Sequence, residues 1–435
     1  EWFLDRHSAD LGKTILSEVT AVAGQGIQPM INLIAQASVS FALFALLILV
    51  DYKIAILTSI ILLSSYFIIY KLSKNFLYKI GKERFKANKD RFNVLSEVFR
   101  SPKEIKLNRL EFYFLNKFAY PAKTFARHQS SSQAIGQLPR FFIEAVAFGG
   151  MLIVILYLIK SSGSFNNALP VMALYAYAGY RIMPAIQQIY LALTQLRYVG
   201  PSLESVHNDF KNLETKNILE KNEILSLKKN IILKNIYYRY PNTSRFALKN
   251  INLEIPAKTT VGIMGETGSG KTTLVDIILG LLKLHRGAFI VDGKYINQNN
   301  VKSLQSLIGY VPQNIYLSDD TVEANIAFGI AKDKIDNKAV IQASKIANLH
   351  NFVSKELPQN YKTTIGEGGV RLSGGQRQRI GIARALYHKP KILILDEATS
   401  ALDNLTEEKV MKEIYKLSRE ITIIIIAHRL STLKN

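Results

Sequence analysis

The sequence predicts a multidomain protein, an α-helical membrane domain followed by an α/β domain, on three observations. Apolar stretches at residues 27–50, 54–70, 141–159 and 169–190 each come near the roughly 20 residues a helix needs to cross a bilayer. The stretch "TTVGIMGETGSGKTTLVDIILGLL" passes from a strand through a glycine-rich turn into a helix. Between these regions, residues 207–230 are polar and charged, with no run long enough to cross. The membrane domain is therefore expected at 1–206, a linker at 207–230 and the α/β domain at 231–435.

The totals agree with this division. The 435 residues are 48% hydrophobic and carry a formal net charge of +21. Such a balance suits nucleic acid, or a membrane protein with its Lys and Arg on the cytoplasmic side, and the apolar runs favour the second. No cysteine is present, which excludes disulfides, zinc–thiolate sites and a thiol nucleophile. The chain starts at Glu1 with no charged-then-apolar leader and is expected to be a fragment.

The first two crossings are joined by "DYK" and the last two by "SSGSFNN", so each pair forms a tight hairpin. The segment between the pairs is rich in Lys and Arg from Lys71 to Arg109, including Arg84, and is expected in the cytoplasm, as are both termini. Its apolar spacing fits helices carried beyond the membrane surface and broken near Ser101 and Pro102, with a short helix around 99–106. The basic residues read as a solvated face attracted to anionic lipid.

Within the α/β domain, Gly265, Glu266, Thr267, Gly268, Ser269, Gly270, Lys271, Thr272 and Thr273 form a P-loop pattern. Its glycines let backbone N–H groups wrap phosphate, and the following helix adds positive potential at its N-terminus. Lys271 is placed to reach the β- and γ-phosphates of ATP, and Thr272 to hold Mg²⁺. Downstream, "KILILDEATSALD" is a buried-type strand ending in Asp396 and Glu397. The first suits the metal and the second can polarise an attacking water. In "LSGGQRQRIGIARAL", Ser373, Gly374, Gly375 and Gln376 open a further helix, a second phosphate cradle. One ATP has little use for two cradles in one subunit, so the simplest geometry is a dimer with each nucleotide held between subunits.

These motifs, in this order, resemble the ATP-binding cassette exporters, specifically a half-transporter with its membrane domain fused ahead of its nucleotide-binding domain. The resemblance implies a type I exporter-like membrane domain and an α/β P-loop NTPase cassette, hydrolysing ATP with Mg²⁺. It implies that Tyr240 in "RYP" stacks on adenine, that Gln313 in "VPQ" is the Q-loop residue meeting Mg²⁺ and water, and that Glu397 is the catalytic base. Asp403 in "SALD" falls in the D-loop, and His428 in "IIIIAHR" in the H-loop that meets the γ-phosphate. Against the family pattern of six membrane helices, four are expected here, and the cassette is expected to be incomplete after "AHRLST". Helical projections near 8–13 and 99–106 are expected to dock on the cassettes.

The membrane residues bear on the cargo. "QLPRFFIEAVAF" and "YRIMPAI" look most like flippases of lipid-linked oligosaccharides used in bacterial protein glycosylation, multi-pass proteins of the cytoplasmic membrane. The resemblance implies that Arg181 and Arg140 receive the substrate's pyrophosphate; a further basic residue of that pattern is replaced here by Gln188 or Gln187. Counting about 1.5 Å per residue from Leu169 sets Arg181 near mid-bilayer, where an ionised group needs a cavity, partner or ligand. The rival partner is Glu144, on the preceding crossing. A general lipid, drug or peptide exporter has the same engine, and an ATP-gated channel or regulatory ATPase is a reading of another class. The crossings exclude a soluble, nucleic-acid-linked cassette ATPase.

Overall fold

In the computed structural model, residues 8–50, 52–162, 165–211, 225–241, 243–266 and 268–426 are described. The chain divides into two units, Trp2–Lys216 and Asn217–Asn435.

The first unit is helical: α1 (Ser8–Val50), α2 (Tyr52–Arg100), α3 (Pro102–Leu107), α4 (Glu111–Ser162) and α5 (Phe165–Lys211). Helix α1 widens into π-turns at Thr14–Glu18 and Ala23–Ile27 before its apolar run. Among the described residues, Ser8–Val50 and Ala55–Arg100 hold windows apolar enough to cross a membrane. The stretches 141–159 and 169–190 lie inside α4 and α5, with many of their side chains outside the description. Helix α5 continues through the polar "LESVHNDFK" to Lys211, past the composition change at 207, because charged residues propagate a helix as readily as apolar ones.

Helix α2 stops at Arg100, and Pro102 opens α3, as its fixed φ and missing N–H favour a first helical position. Phe99 and Leu107 are exposed there, whereas Ile105 is buried. Only the first two therefore present apolar surface for docking. Arg84 departs from the solvated face read for its neighbours. It is buried and pairs with buried Glu18 at 2.9 Å. Ser202 takes part in the same network, and Asn88 donates to the other oxygen of Glu18 at 2.7 Å. This buried cluster ties α1, α2 and α5 together: both Glu18 carboxylate oxygens are paired, while Nε of Arg84 has no hydrogen-bond partner among the described residues. Nearby, Gly81 lets α2 approach α5 so closely that a Cβ there would overlap the Tyr198 carbonyl.

The second unit contains two sheets. Strands β1 (Asn230–Tyr238), β2 (Leu248–Pro256), β4 (Arg286–Val291) and β5 (Lys294–Tyr295) form an antiparallel sheet in the order β2-β1-β4-β5. Strands β3 (Thr260–Ile263), β6 (Ile308–Val311), β7 (Ile392–Asp396) and β8 (Thr422–Ile426) form a parallel sheet in the order β3-β8-β7-β6. The helices are α6 (Lys271–Ile278), α7 (Val301–Ser306), α8 (Val322–Ile326), α9 (Asn337–Ile346), α10 (His350–Glu356), α11 (Gly374–Tyr387) and α12 (Asn404–Leu417).

The two central parallel strands are fully buried, which is why "ILILD" and "TIIII" read as unbroken apolar runs. Alternation then divides them between two cores. Ile392, Ile394, Ile424 and Ile426 face α6 and the antiparallel sheet, while Leu393, Leu395, Ile423 and Ile425 face the layer holding α9 and α11. Leu225 and Leu227, within the expected linker, are buried in the first of these cores.

Candidate active site: a nucleotide-binding edge

A parallel sheet brings the carboxyl ends of its strands to one edge, where open α/β folds place their ligands. Here β3 is followed by the loop 264–270, β6 by Gln313, β7 by Glu397 and β8 by His428. His428 and Thr267 lie outside the described residues.

The loop after β3 depends on glycine at two positions. Gly268 has φ +82° and Gly270 φ +95°, in the left-handed region that side chains strain to occupy. A Cβ on Gly270 would also stand 2.8 Å from the Ala247 carbonyl oxygen. Gly270 is the N-cap of α6, so the unpaired N–H groups of that helix open onto the loop. Lys271 donates to the carbonyls of Gly265 at 2.6 Å and Glu266 at 2.8 Å. An ammonium has three donors, so one is left for an anion. Ser269 donates its N–H to Glu266 at 3.2 Å, closing the turn. Thr272 is exposed beside it.

Thr273 differs from its neighbours. It is buried, and its hydroxyl lies 3.1 Å from that of Tyr240. Its side chain serves to fix Tyr240, whose ring also meets Tyr238 edge-on at 5.2 Å. A half-buried, double-anchored aromatic beside a P-loop has the form of a base-stacking platform.

Asp396 ends β7 in a buried position and accepts a hydrogen bond from Tyr310 of β6 at 3.3 Å. Burial, with Asp396 and Asp276 adding, pushes the Tyr310 phenol up. Burial and then Asp396 likewise raise the carboxyl of Asp276 on α6. Neither Tyr310 nor Asp276 stands out in the sequence; their only signal is a polar residue beside the end of a buried strand or helix.

Glu397 has φ +50°, a strained value for a residue with a side chain. Its N–H donates to the Ile426 carbonyl at 3.2 Å, and its carboxylate accepts from Gln313 at 2.9 Å. The loop after β6, the residue after β7 and the last residue of β8 are thereby linked. For Mg²⁺, the Asp396 carboxylate, the Thr272 hydroxyl and the Gln313 carboxamide are hard oxygen donors, as that ion requires. Among the described residues no cluster of His, Cys, Asp and Glu forms a complete metal cage. A partial shell completed by phosphate and water is the usual arrangement for this ion.

The second cradle is organised by its own caps. Ser373 accepts the Gln376 N–H at 3.2 Å, and the Gln376 side chain accepts the Ser373 N–H at 2.8 Å, a reciprocal capping box at the start of α11. Gly374 and Gly375 leave room for Ala401 and Leu402. Buried Gln378, which the sequence reading passed over, joins this helix to the next loop: it donates to Ser400 at 3.1 Å and accepts the Ala401 N–H at 2.9 Å. Asp403 then caps α12, accepting the Thr406 N–H at 2.9 Å. Among the described residues, no hydrogen bond or ion pair joins the 373–376 group to the 265–272 loop.

Residues 248–400 match the family described as ABC transporter. The chain is 32% identical over 451 aligned residues to an ATP-dependent lipid A-core flippase of Wigglesworthia glossinidia brevipalpis, covering 99% of this chain and 74% of that protein. It is 30% identical over 428 residues to ABC transporter B family member 29, chloroplastic, of Arabidopsis thaliana, covering 98% and 67%. This chain belongs to the ABC transporter family. It is an exporter half-transporter, a membrane protein whose cassette couples ATP hydrolysis, with Mg²⁺, to transport. Its fold is similar to that of a bacterial Atm1-family ABC exporter solved with ATP bound, at a TM-score of 0.86 and 22% identity, over 100% of this chain and 75% of that one.

In the membrane unit, Glu144 pairs with Arg140 at 2.8 Å, one helical turn away, and not with Arg181. That corrects the alternative set against a ligand role for Arg181. Arg181 is exposed and has no ion pair among the described residues. It shares an exposed stripe with Tyr177, Tyr180, Pro184 and Gln188, while Ala178, Ile182, Ala185 and Ile186 are buried on the other face of α5.

Proposed function

We propose that this exporter is a flippase for a lipid-linked oligosaccharide or a similar anionic glycolipid, acting as a homodimer in the cytoplasmic membrane of a bacterium. Residues 1–206 serve as the membrane domain and 231–435 as the cytoplasmic cassette, joined through 207–230. In each cassette, the 265–273 loop holds ATP, Tyr240 its base, and Thr272, Gln313 and Asp396 the Mg²⁺. Glu397 takes a proton from the attacking water, with Gln313 holding its carboxylate and His428 at the γ-phosphate. The Ser373–Gln376 cradle and Asp403 meet the partner's nucleotide, which is consistent with their separation from the loop of their own chain.

The observation that carries the substrate reading is Arg181, a guanidinium in an apolar helix, because Glu144, the acid on the preceding crossing, is held by Arg140. A planar guanidinium with no ion pair among the described residues is suited to bidentate binding of a phosphate oxygen pair. Arg140 contributes when the substrate draws it from Glu144. The relatives named lipid A-core flippases favour a second reading, that the cargo is another anionic lipid. The full-length protein in liposomes decides between them. ATP-dependent appearance of lipid-linked oligosaccharide at the opposite leaflet, lost in Arg181→Leu, supports the first. Transfer of lipid A-core alone supports the second.

A further inference from the structure

The helical unit holds a partly open cavity of about 450 Å³ between the Ala23–Ile27 turn of α1 and helices α4 and α5. That volume lies within the range of small-molecule sites, about 300–1,000 Å³. Five carboxamides line it, those of Gln25, Gln129, Gln133, Gln137 and Gln195, together with the phenol of Tyr198. No lining residue is charged. The register explains the convergence: Gln129, Gln133 and Gln137 recur every fourth residue along one face of α4, and Gln195 and Tyr198 share a face of α5.

Two of these groups lack partners. Tyr198 is 2% exposed and, among the described residues, its hydroxyl makes no hydrogen bond; Oε1 of Gln25 is buried and equally unpaired. Buried polar atoms are ordinarily satisfied, so two unpaired ones on side chains that border this cavity leave donor and acceptor capacity that a side-chain rotation can turn toward a ligand. Carboxamides offer both at once without charge. An anion calls for cations in the wall, and this wall has none; its surface is shared evenly between polar and apolar atoms, as suits a sugar with hydroxyl edges and apolar C–H faces. Hydroxyl-rich, uncharged carbohydrate matches it.

We infer that this cavity seats the saccharide head of the transported lipid, apart from the anionic group assigned to Arg181. The inference rests on the glycolipid reading above. From Arg181 to Gln195 along α5 is about 21 Å at 1.5 Å per residue, a span that separates the phosphate-binding point from a sugar-binding one on a single extended substrate.

The test uses full-length exporter in lipid nanodiscs, with chitotriose as an uncharged saccharide and inorganic pyrophosphate as the anion, followed by calorimetry and saturation-transfer NMR. The combined Gln133→Leu, Gln195→Leu variant is expected to weaken chitotriose binding at least tenfold while leaving pyrophosphate affinity and the melting temperature unchanged. Because the chain has no cysteine, Gln133→Cys provides a single thiol whose alkylation chitotriose should slow severalfold. Equal saccharide binding in parent and variant, no protection of the thiol, or binding of a tripeptide in place of the saccharide would each overturn the assignment. If sugar-free polyprenyl pyrophosphate still stimulates ATPase through Arg181 while no saccharide binds, this inference fails and the flippase reading stands. If chitotriose binds but pyrophosphate lipid has no effect, the cavity assignment survives and the pyrophosphate reading fails.

Discussion

Gln313 donates its carboxamide N–H to the Glu397 carboxylate at 2.9 Å, binding the loop after β6 to the residue after β7. The contact holds the strained Glu397 in place and leaves the carboxamide oxygen of Gln313 free to face a cation. Replacing the carboxylate by an amide keeps the shape and removes the proposed base. Glu397→Gln should therefore lower the ATPase kcat by about 10²–10⁴-fold, the usual worth of a general base, with ATP affinity retained. Comparable loss of affinity would instead assign Glu397 to binding.

Gly270 meets two demands at once, a φ of +95° and a carbonyl 2.8 Å from where a Cβ would stand. Gly270→Ala must move the loop or the Ala247 strand end. Strain of this kind costs about 1–3 kcal/mol. ATP affinity, measured with a fluorescent analogue, should fall roughly tenfold or more, since about 1.4 kcal/mol is a factor of ten.

The Glu18–Arg84 pair is buried on both sides. Removing one partner leaves an uncompensated charge, at a cost of about 3–5 kcal/mol. Glu18→Ala should lower the melting temperature of the detergent-solubilised protein markedly. The double variant Glu18→Ala, Arg84→Ala should recover part of that loss, because the two sites are in contact and do not add. A double variant that loses the sum of both single effects would mean that the pair is not coupled.

The hydrogen bond from Thr406, first among its causes, holds the Asp403 carboxyl below its ordinary value of 3.8. A depressed carboxyl stabilises the fold above its unfolded pKa, and this contribution disappears as pH falls through the folded value. Relative to Asp403→Asn, an uncharged residue that also caps helices well, the parent should lose stability between about pH 4 and lower pH. Thermal unfolding of both proteins at pH 5 and pH 3 measures the difference. Parallel behaviour would show that the cap carries no ionic contribution.

Much of the cassette was legible because its chemistry is local. A loop that wraps phosphate needs glycine at fixed offsets between a strand and a helix, and Gly268 and Gly270 show why in their φ values. Unbroken runs such as "TIIII" signal a strand covered on both faces. Within the helical unit, the break at Pro102 follows from proline's own geometry. The Arg140–Glu144 pair has a local signal too, four residues of separation on one helix.

By itself, then, the sequence determined the order of elements, the nucleotide loop, the carboxylates at the end of β7 and the apolar helices, since each depends on neighbours along the chain. Tertiary structure alone decided that Arg84 is buried against Glu18, that Gln378 links α11 to the Ser400 loop, and that glutamines from three helical segments meet around one cavity. Those contacts join residues far apart in sequence. A side chain's type and spacing say which face it occupies, but only packing decides what that face meets.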